Sequence, residues 1–148
     1  MEYKKSGWNQ KNKEYSNFRV KSPIKSFRDL EVYQKTIQLS EQITSLDFLS
    51  EKEVLEIKLI AENIPKLIAE AWGDKFDSKE LADKKITFAV TLITNIITKI
   101  DLLREKFSEN LERKESLDKL LVNYLTQKRK ALNLRSAWQR VFEDKNKS

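Results

Sequence analysis

The chain has 148 residues, of which 39% are hydrophobic, and its 29 lysines and arginines outnumber its 23 aspartates and glutamates, for a formal net charge of +6. This length suits one domain with a core, and two glycines and two prolines are too few for the many turns of a β-rich chain. Because the chain contains neither cysteine nor histidine, disulfides, thiolate chemistry, Cys- or His-ligated metal sites and His-based catalytic triads are excluded.

The first 25 residues have no hydrophobic period and are predicted to form an extended, flexible basic arm. Residues 1–28 carry eight basic side chains against two acidic ones, and Trp8, Tyr15 and Phe18 lie among them. The sequence has no apolar stretch of the signal-peptide kind and no apolar run of about 18 residues that would indicate a membrane-spanning helix. We therefore expect a cytoplasmic protein without a membrane partner.

The first helix is predicted from about Phe27 to Leu49, capped by Ser26 with Asp29 three residues later. Its apolar residues form two nearly opposite stripes, Phe27, Leu30, Tyr33 and Ile37 on one side and Val32, Leu39, Ile43 and Leu46 on the other. A helix that is apolar on two sides is buried on two sides. Either the second stripe is an oligomer interface, which we favour, or the helix bends and buries one face at each level.

The second helix is predicted to begin after Ser50, where Glu53 completes a capping box. Pro65 interrupts its apolar stripe and is expected to bend the helix. Gly73 suits a left-handed cap at the end of the helix.

The third helix is predicted to open at Asp77 or Ser78. Its β-branched stretch, TFAVTLITNIITKI, has strand-like composition, but apolar residues keep a helical period over seven turns, which is longer than a normal strand. A second stripe lies opposite the apolar one and contains Thr87, Thr91, Thr94 and Thr98. We interpret it as a solvated face in preference to a polar lining at a subunit contact or along a channel.

A fourth helix follows a loop that contains Ser108–Lys114, and it carries an apolar stripe from Leu117 to Leu132. Residues 134–148 keep helical spacing and are predicted to form a short amphipathic basic tail that docks on a surface through Trp138 and Phe142. The fold prediction is an all-α, antiparallel up-down four-helix bundle at 26–133, with the arm at 1–25 and the tail at 134–148.

Positive charge is concentrated towards the two termini. Residues 128–148 carry seven basic and two acidic side chains, whereas residues 29–127 carry 14 basic and 19 acidic ones. Basic arms gain free energy by neutralising a polyanion and releasing its counterions, although solvated tails that keep a protein soluble have the same composition. The predicted nucleic-acid-binding residues are Lys11, Lys13, Arg19, Lys21, Lys25 and Arg28 in the first segment and Lys128, Arg129, Lys130, Arg135 and Arg140 in the second, with Trp8 and Trp138 as candidates for base stacking.

Catalytic motifs are missing from the sequence. Two glycines cannot build a phosphate-binding loop or a dinucleotide-binding loop. The glutamates along the second helix mostly point away from its apolar stripe, so we interpret them as a solvated face rather than a Mg²⁺ site. We predict no catalytic residue, no metal and no cofactor, and the chain is expected not to be an enzyme.

Three segments carry a resemblance to a known family: SFRDLEVYQKTIQLSEQI (Ser26–Ile43), ENIPKLIAEAWGD (Glu62–Asp74) and FDSKELADKKITFAVTLITNIITKIDLL (Phe76–Leu103). They resemble the first three helices of bacterial four helix bundle proteins, and the likeness extends over roughly residues 26–130. That family includes proteins encoded by intervening sequences in large-subunit ribosomal RNA genes. It also includes the accessory variability determinant (Avd) proteins of diversity-generating retroelements.

The resemblance implies a ring-shaped homopentamer with a positively charged surface. In the Avd branch it implies a ring that works with a reverse transcriptase and its template RNA and has no catalysis of its own. The basic arm lies outside the family core, and the net acidic middle of the chain departs from the family surface, so we expect the arms to supply the positive charge.

Two functions are therefore carried forward. The first is a non-enzymatic, oligomeric accessory protein that binds RNA or DNA. The alternative is a protein-interaction ring that holds a polymerase-like partner through Trp138 and Phe142, with the basic residues only steering the encounter.

Overall fold

A computed structural model describes residues 25–147 of the chain and the side chains of residues 25–141, and this part is entirely helical. A 3₁₀ turn at Phe27–Asp29 precedes four α-helices: α1 at Glu31–Thr44, α2 at Glu51–Asp74, α3 at Lys79–Lys106 and α4 at Leu111–Lys147. The prediction of an all-α fold with four helices is confirmed, including the helical state of the β-branched third segment. Among the predicted site residues, Trp8, Lys11, Lys13, Arg19 and Lys21 lie outside the described residues.

The predicted cap at Ser26 starts a shorter element than expected. The Ser26 hydroxyl accepts a hydrogen bond from the backbone N–H of Arg28 at 3.2 Å, and the Asp29 carboxylate accepts one from the backbone N–H of Ser26 at 3.2 Å. These bonds close a 3₁₀ turn, after which Leu30 is extended with φ −72° and ψ 125°. The first α-helix therefore begins at Glu31, four residues later than predicted, and it ends five residues earlier.

The second helix begins as predicted and ends differently. Ser50 and Glu53 form the expected capping box, with backbone-to-side-chain bonds of 3.1 Å and 2.9 Å. Gly73 lies inside the helix without a positive φ, and Lys75 follows with right-handed φ −62° and ψ −19°. The prediction of a left-handed glycine cap is wrong, because the chain leaves α2 through right-handed residues that need no glycine.

The four helices enclose one core. The pairs in contact are α1 with α2, α2 with α3, α3 with α4, and α4 with α1. Helix α3 supplies the longest buried stripe, and its members include Ala82, Ile86, Ala89, Ile93, Ile96 and Ile100. This is the apolar stripe that the sequence predicts, and the opposing threonines at 87, 91 and 98 are exposed.

The α1 stripe that we expected at an oligomer interface lies inside the chain instead. Val32, Leu39 and Ile43 are only 4%, 3% and 0% exposed, and Leu46 packs against the same core. In the single chain these side chains offer no surface to a second subunit, so the assignment of a subunit contact to this stripe is corrected. Helix α1 contacts both α2 and α4. These two contacts within one chain explain why α1 has apolar residues on two sides.

Helix α4 is one continuous helix of 37 residues. It passes residue 134, where the tail was predicted to begin, without an interruption. Leu134 and Trp138 are partly buried against the core, so the first turns beyond residue 134 pack on the bundle. The role of residues 134–148 as a separate docking tail stays a prediction.

Helix α3 is long and apolar enough to span a membrane by length and composition alone. Its most apolar 18 residues have a mean hydropathy of 1.6, and 28% of this window is buried in the chain. The expectation of no membrane-spanning helix stays a prediction. The core helix of a soluble protein passes the same test, so a single such helix carries little weight.

Candidate nucleic-acid interface

Two ion pairs place the cations of α4 at the end of the bundle where α1 and α3 begin. Lys130 of α4 donates to the carboxylate of Glu31 at the start of α1. Five residues further along α4, Arg135 donates from Nε to Asp83 near the start of α3 at 2.7 Å. The second half of α4 therefore lies beside the first turns of α1 and α3.

The end of α2 belongs to the same region. Lys85 of α3 places its ammonium 2.7 Å from a carboxylate oxygen of Asp74 and 3.3 Å from one of Glu70. We define the basic end as residues 25–31, 70–85 and 128–140, which together contain eleven lysines and arginines and seven aspartates and glutamates. The cations that are distant in sequence thus belong to one surface region.

The opposite end of the bundle is acidic. Lys106 of α3 donates to Glu53 of α2 at 2.9 Å, and the rings of Phe48 and Phe107 lie 5.1 Å apart between centroids. We define the acidic end as residues 44–56 and 101–119, with ten acidic and six basic side chains. Helix α2 has 24 residues and therefore separates the two ends by about 36 Å.

The predicted phosphate-binding residues of α4 divide into paired and unpaired cations. Lys130 and Arg135 are held in the ion pairs with Glu31 and Asp83. Arg129 and Arg140 are exposed, Lys128 is half-buried, and none of the three has an ion-pair partner among the described side chains. Of the five predicted phosphate-binding residues in α4, Arg129 and Arg140 are therefore the most available to a ligand.

The start of the described chain adds two exposed cations to the basic end. Lys25 is exposed, and only its backbone N–H makes a described hydrogen bond, to Asp29 at 3.2 Å. The Arg28 guanidinium lies 4.5 Å from the ring centroid of Phe27 and is also exposed. Both side chains are free to meet an anion that approaches this end.

Asp83 and Arg135 form the best-connected polar group of the region. Asp83 accepts from Arg135 at 2.7 Å and 3.3 Å and from the Gln139 amide at 3.1 Å. Hydrogen bonding to Arg135 lowers the pKa of Asp83 and raises the pKa of Arg135. These side chains line a cleft of about 360 Å³ between α3 and α4, with Trp138 as its aromatic wall. The pair fastens the second half of α4 to α3.

Replacing Asp83 by asparagine is expected to lower the free energy of unfolding by about 0.5 kcal/mol at pH 7, since an ion pair whose side chains are a third exposed is largely screened by water. The ordinary pKa of 3.8 is lowered in the folded state, so this contribution is present above that value and is lost as the pH falls through the lower folded pKa. Urea unfolding at several pH values measures it. A difference between Asp83→Asn and wild type that persists unchanged in acid would contradict the ion-pair explanation.

An exposed aromatic group on the turn between α2 and α3 was missed by sequence reasoning. Phe76 is 69% exposed, and its ring lies 5.7 Å from that of Trp72, with the ammonium of Lys75 close to both. Trp72 is half-buried and packs against the core. The signal in the sequence that could have indicated this group is a phenylalanine between a lysine and an aspartate in a turn, because an aromatic residue at such a position is not needed to fill the core.

Of the aromatic residues predicted to bind a nucleobase or a protein partner, only Trp138 has a side chain that the structure describes. Trp138 is half-buried and packs against the core, so part of its ring is already used within the chain. The side chain of Phe142 and the whole of Trp8 lie outside the described part of the structure. The predicted partner contact at Trp138 and Phe142 and the predicted stacking at Trp8 stay predictions.

Comparison of the chain with protein-family models, with curated proteins and with solved structures finds no match. The resemblance to bacterial four helix bundle proteins therefore stays a prediction. Within residues 25–141, no group of three or more acidic side chains is arranged to hold a metal ion.

Proposed function

We propose that the protein is a non-enzymatic accessory protein that binds RNA or DNA through the basic end of its bundle. One observation carries this proposal: Lys130 and Glu31, 99 residues apart in sequence, are in contact, so Lys25 and Arg28 lie towards the same end of the bundle as the cations of α4. Cations that converge on one surface raise the local potential, attract a polyanion and release its counterions on binding.

The individual cations take different roles in this proposal. Arg28, Arg129 and Arg140, which are exposed, contact phosphates directly, and Lys25 and Lys128 add to them. Lys130 and Arg135 act mainly as positioning residues, because their ion pairs hold α4 against α1 and α3. Residues 1–24 continue from Lys25 and would extend the contact with Lys11, Lys13, Arg19 and Lys21.

The family resemblance supports a more specific form of this proposal. The protein would be an Avd-like component of a diversity-generating retroelement, located in the cytoplasm, that assists a reverse transcriptase and its template RNA as a homopentamer. The helices would follow an antiparallel up-down order. In support of that order, Lys85 near the start of α3 pairs with Asp74 at the end of α2, and Lys106 at the end of α3 pairs with Glu53 at the start of α2.

The test is RNA binding measured against salt with the full chain. Fluorescence anisotropy of a labelled RNA should show an affinity that falls steeply between about 50 mM and about 200 mM salt, as expected when several phosphates are neutralised. A chain that lacks residues 1–24 should show a smaller salt slope. Failure of the full chain to bind RNA or DNA at low salt would reject the proposal.

A second candidate function, a protein-interaction scaffold, is favoured by one specific observation. The outer groove between α2 and α3 has a volume of about 390 Å³ and contains Leu59, Phe88 and Leu92, the first two of which are 55% and 53% exposed. Exposed apolar surface of this kind often marks a contact with another chain.

Light scattering after size exclusion tests self-assembly. The double variant Leu59→Gln with Phe88→Gln should reduce the mass of an assembly, whereas Val122→Gln on the exposed side of α4 should not. A monomeric wild type would reject the ring.

A further inference from the structure

We propose that Phe76, supported by Trp72, is a stacking site for an unpaired nucleobase on the turn between α2 and α3. This inference rests on the proposed nucleic-acid function and deepens it, because it names the ligand as single-stranded or looped RNA or DNA. It also assigns base contact to residues that the sequence did not single out for it.

The site is a corner made of two aromatic rings and one ammonium group. The rings of Trp72 and Phe76 are almost perpendicular, at 87°, with centroids 5.7 Å apart. The Lys75 ammonium lies 4.0 Å from the Trp72 centroid and 3.8 Å from the Phe76 centroid. It therefore occupies the angle between the rings and braces Phe76 against Trp72, which itself packs on the core.

A second aromatic pair, at the acidic end, shows what a purely structural pair looks like in this chain. Phe48 and Phe107 at the acidic end also meet edge to face, at 77°, with a cation, Arg113, within 5.6 Å of both centroids. Both of those rings are half-buried and pack against the core. Phe76 also has an aromatic partner and a nearby cation, but 69% of its surface is exposed to water. Its ring therefore contributes little to the stability of the fold through burial.

A nucleobase is the ligand whose chemistry fits this corner. Every base has a flat face that stacks on an aromatic ring, and such stacking is tolerant of sequence. The phosphate of a stacked nucleotide would meet the positive charge of Lys75 and of the exposed Lys79 and Lys84, which have no ion-pair partner among the described residues. Burial lowers the pKa of Lys75, which means that its ammonium has already lost part of its water and has less left to lose when an anion approaches.

The position of the corner agrees with the proposed phosphate contacts. It lies within the basic end, on the same α2–α3 turn where Asp74 pairs with Lys85. Bases within a duplex are stacked on one another and offer no free face, whereas unpaired bases in loops and single strands do. The site therefore predicts a preference for unpaired nucleotides, which phosphate contacts alone do not give.

The experiment compares Phe76→Ala with Leu111→Ala in the full chain. Leu111 is 81% exposed at the acidic end, so its replacement removes a similar exposed apolar side chain far from the site. Anisotropy titrations use a labelled oligoadenylate and a labelled duplex of the same length, at one salt concentration. Phe76→Ala should weaken binding of the single strand about tenfold, since one base stack is lost, and should leave the duplex unchanged. Leu111→Ala should change neither.

Two further variants separate stacking from folding. Phe76→Tyr keeps a flat ring and should bind the single strand as wild type does, whereas Phe76→Leu keeps an apolar side chain without the flat face and should behave like Phe76→Ala. In a chain with Trp8→Phe and Trp138→Phe, Trp72 is the only one of the three tryptophans left, and oligoadenylate should quench its fluorescence.

The outcomes distinguish this inference from the function on which it rests. If the wild type binds RNA with a steep salt dependence and Phe76→Ala binds the single strand equally well, the stacking site is wrong and the charge-based function stands. If the wild type binds neither nucleic acid, both proposals fall. An equal loss for single strand and duplex, or a changed assembly mass in Phe76→Ala, would overturn the inference in favour of a structural or protein-contact role.

Discussion

Replacing Ile93 by alanine is expected to lower the free energy of unfolding by about 3 kcal/mol, because the substitution removes buried methyl groups and leaves a cavity that the core fills only in part. Ile93 is 0% exposed, and it lies in the middle of the buried stripe of α3, the helix that packs against both α2 and α4. Urea unfolding should show a lower midpoint with an unchanged slope, which is the sign of lost stability without a change in the surface exposed on unfolding.

The matched control is Leu102→Ala on the same helix. Leu102 is 62% exposed, so its truncation should change the free energy of unfolding by no more than about 0.5 kcal/mol. A loss at Leu102 as large as that at Ile93 would mean that another chain or a lipid phase covers the outer side of α3 in solution. The pair of variants therefore also tests whether the outer side of α3 is exposed to water, as it is in the single chain.

The helices could be predicted from the sequence because local signals and packing agree in them. The capping box of Ser50 and Glu53 forms as the spacing predicts, and the apolar period of residues 82–103 identifies α3 despite its β-branched composition. The exit from α2 could not be predicted in the same way. A glycine permits a left-handed cap but does not require one, and Gly73 remains helical because the chain turns only after Lys75.

The neighbours of the two apolar stripes of α1 could not be predicted from the sequence, for a different reason. The pattern indicates correctly that both sides of the helix meet other apolar groups, but it does not identify the neighbours. In the bundle α1 touches α2 on one side and α4 on the other, so Val32, Leu39 and Ile43 are buried within one chain. A second subunit is not needed to explain them.

The candidate site was predictable in its composition and not in its arrangement. The basic segments are visible in the sequence, but the pairing of Lys130 with Glu31 and of Arg135 with Asp83 joins residues 99 and 52 positions apart. Only tertiary contacts decide which cations are used inside the chain and which stay available. The same holds for Phe76, whose exposure depends on how the α2–α3 turn sits on the bundle.

The double variant Arg129→Glu with Arg140→Glu is expected to weaken RNA binding about 50-fold or more near 0.1 M salt, since each lost phosphate contact removes the release of close to one counterion. The slope of log affinity against log salt should fall in magnitude by roughly 1.5, on the same grounds. Arginine and glutamate have similar helix propensities, and both positions are exposed, so α4 should keep its structure. Anisotropy titrations at several salt concentrations measure both quantities.

The control for this variant is Lys52→Glu with Lys119→Glu, which removes the same amount of positive charge at the acidic end. Both lysines are exposed, and neither has an ion-pair partner among the side chains that the structure describes. Since the two ends are separated by about 36 Å along α2, more than three Debye lengths at physiological salt, the control should leave affinity and slope close to those of wild type. If the two double variants weaken binding equally, affinity follows the net charge of the chain and the basic end is not the binding surface.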